Sequence, residues 1–254
     1  MGTRDERLGR HLSRRDFLRG TGAAAGLAWS SALGTEGLLA ATSARGVVRV
    51  GIIGAGRIGG AVGLQWAEAG HEIFFSSRNP DELAPLVERG GSRTRAGMPA
   101  EAASFGTVIL VATPYDALPQ VGRDYAMQIR GKVVICCSNP APRDGGPASQ
   151  DALARGWGVV TPELLPGVRL ARAFNAINYR AVEIEAHRAG ERVGIPVAGD
   201  DQDAVRVTAE LVVDAGFDPV VVGGLDRASA FEIGSPVFVT NMTAAELREA
   251  LGLR

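Results

Sequence analysis

Residues 47–63 read VVRVGIIGAGRIGGAVG. The β-branched run VVRVGII has the character of a buried strand, and GAGRIGG follows it without a spacer. Beyond the glycines, Ile58, Ala61, Val62, Trp66 and Ala69 recur at helical spacing until Gly70 closes the run. Gly54-x-Gly56-x-x-Gly59 therefore stands between a strand and a helix, the context in which this pattern predicts dinucleotide binding. Gly54 permits the tight turn, Gly56 lets a pyrophosphate approach the backbone, and Gly59 lets helix and strand pack closely. The helix start adds free N–H groups and partial positive charge for the phosphates.

The next strand, in HEIFFSSRNP (71–80), bears on which dinucleotide fits. An NAD site places Asp or Glu about twenty residues past the first glycines, on the ribose 2′-hydroxyl. Here that place reads Ser76, Ser77, Arg78. Two hydroxyls and a guanidinium suit a 2′-phosphate, so the reading favours NADP. The alternative is a solvated turn before Pro80.

The alternation continues outward. PDELAPLVERGG predicts a helix begun by Pro80, TVILVATP a strand ending at Thr113, and Pro114 a helix reaching about Arg130. KVVICCSNP is a further buried strand. Such strand–helix alternation predicts an α/β fold, a Rossmann-type doubly wound parallel sheet with ligands at the carboxyl ends of its strands. Thr113, Pro114, Ser138 and Asn139 occupy such ends and are expected to face the nicotinamide half. Thr113 equally suits a helix cap. Residues 47–174 are read as the NADP-binding domain and 175–254 as a small α/β acceptor-side subdomain. In the latter, a helix around NAINYRAVEIEAHRAG, a strand in VGIPVAGD, and a helix with Val205, Ala209, Leu211, Val212 and Ala215 inward are expected. Thr243 is expected to cap a last helix.

The composition excludes other classes. With 27 basic and 28 acidic residues the charge nearly cancels, and no basic stripe with interleaved aromatics points to nucleic acid. The three histidines are far apart and the two cysteines adjacent, so no metal site is expected. Cys136 and Cys137 should lie on opposite faces of a strand as small buried side chains, with a vicinal disulfide the alternative.

The N-terminus has a different logic. A polar, arginine-rich start precedes GTGAAAGLAWSSALG and then LLAATSARG, the three-part plan of an export signal. Arg14-Arg15-Asp16-Phe17-Leu18-Arg19 resembles the twin-arginine signal. Residues 1–44 are therefore expected to direct export through the twin-arginine translocase, with cleavage near Ala44 or at Ala32. The mature protein would be periplasmic or extracellular.

Taken together, RVGIIGAGRIGGAVG, GHEIFFSSRNP, VILVATPYDAL, KVVICCSNP, VRLARAFNAI, PVAGDD and AGFDPVVVGGLDRA resemble the NADPH-dependent deazaflavin (coenzyme F420) reductases. The resemblance runs from about Val47 to the C-terminus. It implies a reductase that moves hydride between NADP and coenzyme F420 or a flavin-like acceptor stacked on the nicotinamide. It places Ala55, Gly56, Arg57 and Ile58 at the pyrophosphate, Ser77 and Arg78 at the 2′-phosphate, and Asn175 and Ile177 where the two rings meet. It implies no dedicated catalytic acid or base. A non-catalytic NADP-binding module, as a sensor or a subunit of a membrane ferric or flavin reductase, is the alternative. A homodimer is left open.

Overall fold

A computed structural model describes residues 46–143 and 145–253. The export segment, 1–44, lies outside the described residues. β1 (Arg49–Ile53), α1 (Arg57–Glu68) and β2 (Glu72–Ser76) follow one another as the glycine-bounded pattern predicts. A 3-10 turn over Pro80–Leu83 then leads into α2 (Ala84–Gly90), so the helix expected from Pro80 tightens at its start. β3 (Thr94–Gly97), α3 (Pro99–Phe105) and β4 (Val108–Val111) come next. The single helix expected from Pro114 to about Arg130 is instead a 3-10 turn, Tyr115–Ala117, followed by α4 (Leu118–Asp124) and α5 (Ala126–Ile129). Pro119 sits in the first turn of α4 and, lacking an N–H, cannot continue a helix from before it. Tyr125, at φ −115°, separates α4 from α5.

Then follow β5 (Val133–Cys136), α6 (Pro147–Arg155), α7 (Trp157–Leu164), β6 (Arg169–Arg172) and α8 (Tyr179–Glu185). The chain finishes with β7 (Gly194–Gly199), α9 (Gln202–Asp214), β8 (Asp218–Gly223), a 3-10 segment Leu225–Phe231 and α10 (Ala244–Ala250). Thr243 caps α10 as expected: its hydroxyl accepts from Glu246 N, and Glu246 accepts from Thr243 N in return.

The strands form one eight-stranded sheet in the order β3-β2-β1-β4-β5-β6-β7-β8. All neighbours run parallel except β6 and β7. The chain winds outward from β1 to β3, returns to lay β4 on the other side of β1, and winds outward again. This is the doubly wound Rossmann-type α/β fold, with its switch point between β1 and β4. Residues beyond 174 do not start a separate sheet. β7 and β8 extend the same one.

Strand period two places the core on both faces. Val50, Ile52, Leu110 and Ile135 pack in a cluster with Trp66, Phe75 and Phe174 on one face. Ile53, Ile109, Val111 and Val134 pack with Trp157, Leu170 and Phe231 on the other. Cys136 belongs to the second cluster and Cys137 to the first, both as free thiols. Burial pushes both thiols well above the ordinary cysteine range. A thiol reagent is accordingly expected to titrate no cysteine in the native protein and two after denaturation. Rapid labelling of the folded protein would contradict this burial.

Candidate functional site

The turn after β1 is pinned to β2. Gly54 N and Ala55 N both donate to the Ser76 carbonyl, at 3.2 and 2.8 Å, and the Ser76 hydroxyl donates to Ile52 O at 2.6 Å. Ser76 is thus spent inside the sheet, and only Ser77 of the two serines is left at the strand end. The three glycines can be told apart by what a side chain would meet there. Gly54 has φ +95°, and a Cβ would lie 2.8 Å from the Ala112 carbonyl oxygen. At Gly59 a Cβ would drive into the carbonyl of Gly54. Gly56 is different. Its φ of −78° is open to any residue, and a Cβ would meet no atom of the described residues within 4 Å. The space over Gly56 is therefore open for a ligand such as a pyrophosphate to approach the backbone.

Gly56 caps α1, whose first turn holds no acidic side chain. The amides of Gly56, Arg57 and Ile58 fall at the helix start, where donors lack an intrahelical acceptor. The Arg57 guanidinium lies 5.5 Å from the centroid of the Tyr179 ring. Ile58 packs partly buried against the core and, with Gly59, supports the cradle from behind.

A cavity of about 540 Å³ opens beside this turn, at the carboxyl ends of β1, β2 and β4. Its size is that of a small-molecule site. Gly54, Ala55, Gly56, Ser77, Arg78, Thr113 and Pro114 line it, bringing together seven of the residues proposed from the sequence. The Ser77 hydroxyl accepts from Asn79 N at 3.0 Å, which leaves its proton free to donate into the cavity. Arg78 is exposed at the rim. The Thr113 hydroxyl is buried without a hydrogen-bond partner, so it does not cap the following helix. These donors, the open space over Gly56 and the switch-point position fit an NADP adenosine and pyrophosphate.

Sequence reading passed over the rest of the wall. Leu83, Leu86, Pro99, Val121 and Tyr125 give an apolar side suited to a flat base, and Glu82 and Gln120 join them. Leu83 and Leu86 are the only such signal in the sequence, an i, i+3 pair inside the stretch after Arg78.

The remaining proposed residues belong to a different arrangement. Asn139 is not on the cavity wall. Its Oδ1 accepts from Arg172 Nη2 at 2.7 Å and from Asn175 Nδ2 at 3.2 Å, and its Nδ2 donates to Asn175 O at 2.9 Å. Asn175, only 4% exposed, also donates to Phe231 O at 3.0 Å. Ile177 is buried in the core, and neither residue lines the cavity. Arg172, fully buried at the end of β6, organises this network. Its Nη1 donates to Ala228 O at 2.7 Å and lies 3.5 Å from Glu232, while its guanidinium sits 4.5 Å from the Trp157 ring centroid. Burial pulls its pKa down to about 10, against the opposing pull of Glu232, so it remains cationic at neutral pH. Neighbouring Phe174, at φ +58°, is held in a strained backbone conformation between these anchors. Among the described residues no group of acidic, histidine or cysteine side chains could hold a metal ion.

Residues 49–140 match the family model described as NADP oxidoreductase, coenzyme F420-dependent. No curated protein matches the chain. Among solved structures, a hypothetical protein from Sinorhizobium meliloti is 27% identical, with a TM-score of 0.64 over 78% of this chain and 96% of that one. A candidate F420-dependent NADP reductase from an Arthrobacter species is 20% identical, with a TM-score of 0.60 over 82% of this chain and 96% of its own. An imine reductase from Myxococcus stipitatus in complex with NAD+ is 18% identical, with a TM-score of 0.52 over 82% of this chain and 62% of that one. The structural likenesses support the fold, and the family match spans β1 to β5.

If Arg78 holds a 2′-phosphate, Arg78→Ala is expected to weaken NADPH binding by about 1.5–3 kcal/mol, the scale of a hydrogen bond to a charged group. NADH binding should barely move. Calorimetric titration of both coenzymes decides it, and equal losses would make Arg78 structural.

Proposed function

We propose that the chain is an NADP-dependent oxidoreductase that transfers hydride between NADP(H) and a deazaflavin or flavin-like acceptor. The observation that carries this reading is the open space over Gly56, where a Cβ would meet no atom of the described residues within 4 Å and a pyrophosphate can reach the backbone. Bound NADPH supplies the hydride. The amides at the start of α1 hold the pyrophosphate, Ser77 and Arg78 hold the 2′-phosphate, and Thr113 meets the inner half of the dinucleotide. The chemistry then needs orientation rather than an acid or base. Rigidity at the ends of β5 and β6, where the Arg172 network ties Asn139 to the 173–177 segment, serves that orientation.

The test is NADPH oxidation by pure protein with coenzyme F420, free flavin or a ferric chelate. Oxidation above background with F420 or flavin is the expected result. A specific observation favours a second reading: residues 173–177 are all buried, so no acceptor surface is open beside them. NADPH binding without turnover on any acceptor would establish the non-catalytic NADP-binding module instead.

Residues 1–44 are proposed as a twin-arginine signal, a route that carries folded proteins. A domain exported with NADP aboard folds around it first, and bound ligand adds about 2.7 kcal/mol at a hundredfold excess over its dissociation constant. Exported protein is therefore expected to retain NADP, detectable by absorbance after denaturation. Recovery of stable apoprotein from the periplasm would contradict this route to loading.

A further inference from the structure

The 2′-phosphate side of the cavity holds an acid as well as a base. Glu82, within the 3-10 turn Pro80–Leu83, lines the same cavity as Ser77 and Arg78. Glu82 N donates to Asn79 O at 3.2 Å, closing that turn, and Asn79 Nδ2 donates to Glu82 Oε1 at 3.1 Å. The carboxylate is therefore tethered at the rim through one oxygen, and no ion pair to a cation among the described residues neutralises it. The same holds for Arg78.

Resting on the coenzyme site proposed above, we propose that Glu82 sets the coenzyme preference and admits NADH alongside NADPH. A 2′-phosphate carries about two negative charges near neutral pH. Arg78 and the Ser77 hydroxyl attract it and Glu82 repels it. A 2′-hydroxyl reverses the roles: it donates to a carboxylate, the interaction by which acidic residues recognise NAD. Opposed groups at one rim compress the discrimination that Arg78 alone would give. The usual acid at the end of the second strand is missing here, and Glu82 returns an acid to that neighbourhood by way of the turn.

The experiment is binding of NADPH and NADH to the full chain, measured by nicotinamide fluorescence or calorimetry, for the unsubstituted protein, Glu82→Gln and Glu82→Lys. Gln keeps an oxygen for Asn79 and removes the charge. In Glu82→Gln, NADPH is expected to bind about three- to tenfold more tightly and NADH more weakly by a similar factor, the range of a single exposed charge. Glu82→Lys should widen the ratio further. A ratio unchanged in both variants, or moved toward NADH, would overturn the role of Glu82 alone. Failure of the unsubstituted chain to bind either coenzyme would overturn the coenzyme site itself, and this inference with it.

Discussion

Gly56→Val is expected to abolish NADPH binding, by at least about a hundredfold or 2.7 kcal/mol, while leaving the fold in place. The structure separates these two effects. A Cβ at position 56 meets no atom of the described residues within 4 Å, and the φ of −78° is negative, outside the left-handed region that favours glycine. The cost to stability is that of a poorer helix cap, about 1 kcal/mol. The branched side chain would stand where the pyrophosphate is proposed to lie. Gly59→Val provides the contrast, because a Cβ there collides with the Gly54 carbonyl. It should unfold more easily, by about 1–3 kcal/mol or more, whether or not coenzyme is present. Thermal unfolding with and without NADP tests both. Coenzyme should raise the midpoint of the unsubstituted protein and not that of Gly56→Val. Equal protection of both would remove Gly56 from the site.

Arg172→Ala is expected to cost about 3–5 kcal/mol of folding stability, the usual consequence of removing one member of a buried charged network. Glu232 would lose its cation, and the Ala228 carbonyl and Asn139 Oδ1 would each lose a donor. A cavity would also open between the rings of Trp157 and Phe231, over which the guanidinium now lies. Arg172→Met fills much of that space and should cost less. Equilibrium denaturation measures the difference, and a loss below about 1 kcal/mol in Arg172→Ala would show the network to be slack.

The cradle was legible because each of its features is local. A strand, three spaced glycines and an amphipathic helix are contiguous in sequence, and Ser77 and Arg78 follow at a fixed offset. β6 was harder, since RLAR shows two arginines where a central strand is expected to be apolar. Arg172 is nevertheless fully buried, and its partners Asn139, Ala228 and Glu232 come from distant segments that no local pattern brings together. The same non-local network claims Asn139, read as ligand-facing from its place at a strand end, and Asn175, placed beside the acceptor by the family resemblance. Glu82 was invisible for a simpler reason: the helix expected from Pro80 does not place residue 82 as a 3-10 turn does. Thr113 could be read either as a cap or as a ligand contact, and its unpartnered hydroxyl rules out the cap.

The cavity at the switch point is proposed as an NADP site. Titration of NADPH into the pure full-length protein, freed of endogenous coenzyme and followed by calorimetry, tests it most directly. One NADPH should bind per chain, and 2′,5′-ADP should compete for the site because it carries the adenosine and the 2′-phosphate without the nicotinamide. Absence of binding at millimolar NADPH, or binding that 2′,5′-ADP does not displace, would contradict the account.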